Sequence, residues 1–177
     1  MIYFVRHGES EANLRGVFAG QRENSVLTEK GKEQAKTTAQ AIKLEVPFKI
    51  ERIISSPLKG ALETAEIITR ELGLPLDMIE IDNTITEYDM GTLTGTPIHK
   101  ISSSALTMAK EAENPYIFRD RVFFCFKGLT ERRQNVLVVS HAGVGRILEA
   151  LKQNKDAKLF YDIPAYGNAS VTLIDWI

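Results

Sequence analysis

The sequence predicts an α/β fold, a three-layer α/β/α sandwich with a mostly parallel sheet. The first observation is that short apolar runs alternate with longer amphipathic stretches along the 177 residues. Strands that alternate with helices in this way form a parallel or mostly parallel sheet with helices on both faces. The second observation is the continuous apolar run at 135–140, the strongest strand prediction in the chain, together with a shorter one at 2–5.

The individual elements follow in a regular order. Strands are expected at 2–5, 52–55, 76–81, 135–140 and 170–176. Helices are expected at 28–44, 58–72, 97–113, 118–131, 143–152 and 157–161. Thr28 is a good N-cap for the first helix, and Gly73 followed by Pro75 ends the second. The segment 83–96 is rich in Thr and Gly and is expected to be a loop.

Polar residues follow three of the predicted strands directly. Arg6-His7, Ser55-Ser56 and Ser140-His141 each stand at a strand's carboxyl end. In a parallel sheet these ends share one edge, and ligands of open α/β sheets bind there. The pattern alone therefore predicts one site that contains both histidines.

Composition limits the class of protein. The formal net charge is −1, with 22 basic and 23 acidic residues, which gives no general signal for nucleic-acid or membrane binding. Apolar runs fall short of a membrane span, and a strand from the second residue leaves no room for a signal peptide. Cys125 is the only cysteine, so no internal disulfide can form. We expect one domain over 1–177 and a cytoplasmic location.

Five short motifs succeed one another along the chain. They are Arg6-His7-Gly8-Glu9-Ser10 with Asn13; Leu27-Thr28-Glu29-Lys30-Gly31 with Gln34 and Ala35; Ser55-Ser56-Pro57-Leu58 with Ala61, Thr64 and Ala65; Glu87 with Asp89-Met90-Gly91 and Gly95; and Val138-Val139-Ser140-His141-Ala142-Gly143-Val144. In this order they resemble the histidine phosphatase superfamily, also called phosphoglycerate mutase-like. The resemblance spans nearly the whole chain and implies that family's fold.

The resemblance also implies phosphoryl transfer through a phosphohistidine. His7 would be the nucleophile, and it must be neutral to attack, so its other ring nitrogen should donate to a backbone carbonyl. Arg6 would hold phosphate oxygens with two donors. Glu87 would protonate the leaving group and later take a proton from water, a role that needs a raised pKa.

Further residues would contact the phosphate group. His141, as an imidazolium, would bind a non-bridging oxygen, and the backbone N–H of Ala142 and the amide of Asn13 would add donors. Gly20 and Lys59 complete the predicted phosphate- and substrate-binding set. Three scattered histidines and one cysteine give no metal-ligand spacing, so we expect neither a metal nor a cofactor.

One position departs from the family pattern. An arginine normally follows Ser-Ser-Pro-Leu after one spacer residue, and here that position is Gly60. Lys59 is adjacent, but neighbouring helical residues point about 100° apart. Loss of one preorganised donor typically lowers the rate roughly 100- to 1000-fold. Arg119, Arg121 and Arg146 are candidate substitutes that the sequence does not rank.

We expect a phosphatase acting on a small phosphorylated metabolite, similar to the short bacterial phosphatases of the α-ribazole phosphate type. The segment between Glu87 and His141 is shorter than in the family's mutases, which should leave the site open to water. A bisphosphoglycerate-dependent mutase is one alternative. A catalytically weak phosphate-binding or regulatory protein is another, because of Gly60. Specificity should reside in 20–26 and in an insertion at about 97–120 that caps the site, whereas the substrate and oligomeric state stay open.

Overall fold

A single sheet organises residues 1–46 and 49–177, which are the residues that the computed structural model describes. Its strands are β1 (Ile2–Arg6), β2 (Arg52–Ser55), β3 (Ile79–Ile81), β4 (Val136–Ser140) and β5 (Val171–Ile174). The order across the sheet is β3-β2-β4-β1-β5. The first four strands pair in parallel, and β5 pairs antiparallel with β1. The predicted α/β fold with a mostly parallel sheet is confirmed.

Helices connect these strands. The α-helices are α1 (Glu11–Arg15), α2 (Glu29–Glu45), α3 (Lys59–Glu71), α4 (Ser103–Thr107), α5 (Pro115–Glu131) and α6 (Ala142–Lys152). Short 3₁₀ segments lie at Leu76–Met78, Asn83–Ile85, Gly91–Leu93, Ile98–Lys100 and Ala157–Asp162. The Thr28 side chain accepts from the backbone N–H of Gly31 at 3.0 Å, as expected of the N-cap of α2.

The core lies on both faces of the sheet, because successive strand residues point to opposite sides. Phe4 and Val138 pack with α5 and α6 in one cluster of buried residues. Val5 and Val139 pack with α2 and α3 in the other. Strands buried on both faces are expected to be continuous apolar runs, which is what made β1 and β4 recognisable.

The strand register brings the three polar strand ends together. Arg6 lies opposite Ser140 in the β1–β4 pair, and Ser55 lies opposite Val139 in the β2–β4 pair. Because β4 is between β1 and β2, the Ser140-His141 end stands between the other two. The single edge predicted from the sequence is therefore present.

The segment 97–113 differs from its prediction as one helix. It contains a 3₁₀ turn and the five-residue α4 instead. The Ser102 side chain caps α4 by accepting from the N–H of Ala105, and serines favour such local bonds over a continuous helix. The chain then turns back on the preceding loop, where Lys110 accepts from the N–H of Thr92 at 3.0 Å.

Smaller differences concern element ends. Helix α5 begins at Pro115 rather than at 118, because Asn114 caps it and proline fits the first helical position. Strand β3 covers only 79–81 of the predicted 76–81, and residues 76–78 form a 3₁₀ turn instead. Helix α1 was not predicted. None of the helices within the described residues is both long and apolar enough to cross a membrane.

Candidate active site

A cavity of about 190 Å³ opens at the carboxyl edge of the sheet. The structure brings most of the predicted site residues to its wall, namely Arg6, His7, Asn13, Gly20, Glu87, His141 and Ala142. Gly60 and Arg146 also line it. These residues come from 6–20, 60, 87 and 141–146, so the site depends on the assembled fold.

His7 is held in one orientation at the end of β1. Its Nδ1 lies 2.7 Å from the carbonyl oxygen of Gly8, and its backbone N–H donates to the carbonyl of Ser140 at 2.9 Å. Burial, reinforced by the nearby Arg6 cation, lowers the pKa of His7 to about 4. The ring is therefore neutral at physiological pH. A proton on Nδ1 leaves the lone pair on Nε2.

Two glycines support the His7 loop. A Cβ on Gly8 would overlap the backbone carbonyl of Gly31, and a Cβ on Gly31 would overlap the backbone of Glu9. The first motif and the first turn of α2 therefore touch backbone to backbone. Thr28 adds a hydrogen bond to the Glu9 carboxylate at 3.0 Å. The second motif thus supports the first rather than contacting a ligand.

His141 faces His7 across the site. The two rings are 5.2 Å apart between centroids and nearly edge to face. The Nε2 of His141 lies 2.7 Å from the hydroxyl oxygen of Ser56. Burial, with further contributions from His7 and the nearby arginines, lowers the pKa of His141 well below its usual range. This direction favours the neutral ring over the imidazolium that the family resemblance implies.

Arg6 places a half-buried cation at the cavity wall. Its Nη1 donates to the carbonyl of Tyr166 at 2.7 Å. Its Nε is buried and has no hydrogen-bond partner within the described residues. Burial lowers the pKa of Arg6, yet an arginine side chain stays protonated in proteins. A buried donor without a partner is costly, and an anion in the cavity that accepted from this Nε would relieve that cost.

Glu87 meets the start of α6. One carboxyl oxygen accepts from the N–H of Tyr88 at 2.8 Å and the other from the N–H of Gly143 at 3.1 Å. A Cβ on Gly143 would overlap this carboxyl group, so the approach requires glycine. Burial raises the pKa of Glu87, although the two backbone donors, Arg6 and Arg146 oppose the shift. The direction is the one that a general acid needs.

The segment that carries Glu87 is fixed by Arg121. The guanidinium donates to the carbonyls of Thr84, Thr86 and Glu87 at 2.6–3.0 Å. It also forms an ion pair with Glu113 at 2.7 Å. The donors of Arg121 are therefore used on the backbone that carries Glu87 and on Glu113, which removes Arg121 as a substitute for the missing arginine.

The smaller predicted contacts also lie at the cavity. The Asn13 amide oxygen accepts from the N–H of Ser10 at 3.2 Å. Gly20 adopts a positive φ of 55°, and a Cβ there would approach the Met90 side chain to 2.9 Å. Ala142 begins α6, where the helix dipole favours an anion.

The structure ranks the remaining cations. Lys59 is exposed and lies outside the cavity wall, so the structure does not bring it together with the other predicted phosphate-binding residues. Its neighbour Gly60 faces His7, since a Cβ there would lie 3.5 Å from the His7 Nδ1. Arg119 pairs with Asp120 and lies outside the wall.

Arg146 is the remaining candidate, and it lines the cavity. It lies one turn after Ala142 on the same face of α6, and helical side chains lean towards the N-terminus. Its guanidinium stacks on Tyr161, 4.0 Å from the ring centroid. Its Nε is buried with no hydrogen-bond partner in the described part of the chain.

Three contributors to the site were missed from sequence. They are Ser56 as the partner of His141, Tyr166 as the carbonyl partner of Arg6, and Asn168, which donates to Asn13. The last two lie in a loop without a recognised motif. Within 1–46 and 49–177, no three His, Cys, Asp or Glu side chains come together as a metal site.

Comparisons with known proteins identify a family for this chain. A family model described as the histidine phosphatase superfamily (branch 1) matches residues 2–177. The chain is 45% identical over 92 residues to a probable phosphatase of Schizosaccharomyces pombe, covering 52% of this chain and 30% of that protein. It is 29% identical over 160 residues to adenosylcobalamin/alpha-ribazole phosphatase of Salmonella typhimurium, covering 84% of this chain and 77% of that enzyme.

A solved structure supports the fold assignment. Bacillus stearothermophilus YhfR superimposes with a TM-score of 0.82 at 24% identity, covering 99% of this chain and 91% of that one. Such a likeness establishes the shared fold. The chain spans about a third of the length of the yeast relative.

Proposed function

Because the chain belongs to the histidine phosphatase superfamily, we propose that it hydrolyses a small phosphomonoester through a phosphohistidine on His7. The observation that carries this proposal is the state of His7. The ring is neutral, and its Nδ1 is 2.7 Å from the Gly8 carbonyl. An Nε2 lone pair at the cavity is the requirement for nucleophilic attack.

In the first step, the Nε2 of His7 attacks phosphorus and the bond to the leaving oxygen breaks. Glu87, whose protonated form is favoured by burial, gives its proton to that oxygen. The positive charge on the phosphorylated ring is balanced by the Gly8 carbonyl at Nδ1. Arg6 and the N–H of Ala142 hold the non-bridging oxygens.

In the second step, water attacks the phosphohistidine. The Glu87 carboxylate takes one of the water protons, the phosphorus–nitrogen bond breaks, and its electron pair returns to Nε2 of His7. The products are inorganic phosphate and the starting state of both side chains. Glu87 thereby acts first as acid and then as base, and His7 acts first as nucleophile and then as leaving group.

We also propose that Arg146 replaces the family arginine absent at Gly60. Its unpaired, buried Nε and its place on the cavity wall support this role. With Arg6 it provides two guanidinium groups, so the reaction needs no metal to offset the phosphate charge. Gly60 still supports a second candidate function, a phosphate-binding protein with weak turnover.

Part of the cavity wall is apolar. Val17, Phe18, Met90 and Ile98 line the cavity besides the polar residues. Ile98 is the contribution of the proposed insertion at 97–120. We therefore propose a small metabolite with an apolar portion next to the phosphate ester, bound by the single domain 1–177.

Trapping the intermediate tests the proposed function. The protein is exposed to a ³²P-labelled labile phosphomonoester, quenched, and mapped. Label should appear on His7 with the acid-labile, base-stable behaviour of phosphohistidine, and excess chelator should leave turnover unchanged. His7→Ala should abolish labelling and turnover, whereas the exposed His99→Ala should not.

Other outcomes would contradict the proposal. Label on Ser55 or Ser56, or turnover retained by His7→Ala, would exclude the phosphohistidine. Phosphate binding without turnover on a panel of phosphomonoesters would favour the weak phosphate-binding protein. Loss of activity with chelator that Mg²⁺ restores would exclude the metal-independent mechanism.

A further inference from the structure

The loop 166–169, just before β5, binds the first motif along its backbone. The carbonyl of Tyr166 accepts from Arg6. The N–H of Ala169 donates to the carbonyls of Arg6 and His7 at 2.9 and 3.2 Å. The Asn168 side chain donates to the carbonyl of His7 at 3.1 Å. The loop therefore lies directly behind the residues that face the cavity.

This loop is anchored independently of the Asn168 side chain. The Tyr166 hydroxyl donates to the carboxylate of Glu149 at 3.1 Å. The carbonyl of Ala169 accepts from the hydroxyl of Thr38 at 2.6 Å. Removing the Asn168 amide should therefore leave the loop in place, which makes its own contribution measurable.

The second contact of Asn168 decides the orientation of Asn13. The Asn13 Oδ1 accepts from the N–H of Ser10 at 3.2 Å and from the Asn168 Nδ2 at 3.1 Å. Two donors thus converge on one end of the amide. If the amide were flipped, its NH₂ group would face both donors, which is unfavourable. The oxygen end is therefore held by these two donors, which leaves the NH₂ end free of them.

We propose that Asn168 is a positioning residue that turns the Asn13 NH₂ group towards the phosphoryl group. The Asn13 Nδ2 has no hydrogen-bond partner among the residues described, and Asn13 lines the cavity. An oxyanion accepts from an NH₂ group and is repelled by an amide oxygen. The inference rests on the proposed function, which supplies the phosphate.

A double-mutant cycle tests the inference with inorganic phosphate as the probe. Binding is measured by calorimetry, so turnover is not needed. Asn168→Ala and Asn13→Ala should each weaken phosphate binding about 3- to 10-fold, the range of one net hydrogen bond. The double variant should bind no more weakly than Asn13→Ala. Ser170→Ala, which removes a hydroxyl bonded to Gly167 in the same loop, should bind like wild type.

The cycle separates positioning from general damage to the loop. If Asn168 only stabilised the loop, its effect would persist without the Asn13 amide, and the two losses would multiply. The inference would be overturned if the two fold-losses of phosphate affinity multiplied in the double variant, or if Asn168→Ala bound phosphate like wild type. Either result would leave the phosphatase proposal intact. Failure of wild type itself to bind phosphate would overturn both.

A second variant keeps the test valid if Asn168→Ala folds poorly. In Asn13→Asp, Ser10 and Asn168 can still donate to the side chain, so the fold should be retained. A carboxylate oxygen would then replace the NH₂ group at the cavity. Phosphate binding should fall further than in Asn13→Ala, and binding equal to wild type would show that this end of the residue does not face the phosphate.

Discussion

Replacing Arg146 should lower kcat/KM for phosphomonoester hydrolysis by roughly 100- to 1000-fold. That range is the usual effect of removing one preorganised donor at a developing charge. The Arg146 Nη1 contacts the Tyr161 carbonyl at 3.3 Å, whereas its buried Nε is left without a partner in the described residues. Arg146→Ala should also lose the contact with the Tyr161 ring, at about 0.5–2 kcal/mol of stability, which a thermal unfolding measurement can separate from activity.

In the Arg146→Ala background, Gly60→Arg should restore most of the lost kcat/KM. A Cβ at this position would lie 3.4 Å from the carbonyl of Ser25 and 3.5 Å from the His7 ring, which are ordinary contacts. The new side chain would start towards the cavity from the second residue of α3. In the wild-type background the gain should be small, because Arg146 already supplies a guanidinium and two cations in one cavity repel each other.

The assay compares kcat/KM for an aryl phosphate in wild type, both single variants and the double variant. Gly60→Ala is the matched control, since it should change only helix stability, by about 1 kcal/mol. Arg119→Ala is the control for removing an arginine outside the cavity. Wild-type kcat/KM in Arg146→Ala, or no recovery in the double variant, would refute the replacement of one arginine by the other.

Two further predictions concern the titrating groups. Glu87→Gln should retain vanadate affinity but lower turnover, mostly for esters with poor leaving groups; an equal loss of vanadate affinity would make Glu87 structural. The free energy of unfolding should fall as pH falls from 6.5 to 4. The reason is that His7 and His141 bind protons in the unfolded chain at pH values where their lowered pKa keeps them unprotonated in the folded chain. The His7 contribution to the free energy of unfolding is on the order of 3 kcal/mol. Glu87 has the opposite effect at pH values above its ordinary pKa, because its raised pKa makes the folded chain bind a proton that the unfolded chain does not. Urea unfolding at pH 7 and pH 5 measures this, and an unchanged slope in His7→Gln would contradict the assignment.

The sequence predicted the fold correctly where a residue pattern is compatible with only one structure. Apolar runs followed by Arg6-His7 and Ser140-His141 could be placed at one edge, because parallel strands align their carboxyl ends. The segment 97–113 was mistaken for a helix because its long-range partner, the loop at Thr92, has no periodic signal. Helix α1 was missed because five residues are too few for a recognisable period.

Long-range orientation explains what the sequence left open at the site. Arg146 could not be ranked above Arg121 from the sequence, because both lie in amphipathic helices. Only the packing of those helices decides which of the two arginines faces the cavity. Asn168 was missed because its contact with Asn13 joins residues 155 positions apart. Side-chain direction in such loops depends on the assembled fold.

The placement of β1 has a consequence for how the protein acquires its activity. The strand that leads into His7 is made well before its neighbours β4 and β5, which come from 136–174. A nascent chain therefore holds β1 without its sheet partners until β4 has been synthesised. Such distant pairings are slow to form, and an unpaired strand is prone to aggregation. A ribosome-bound fragment ending before β4 should consequently be inactive, and a chaperone that shields the first strand would help the full chain more than one that acts on α5.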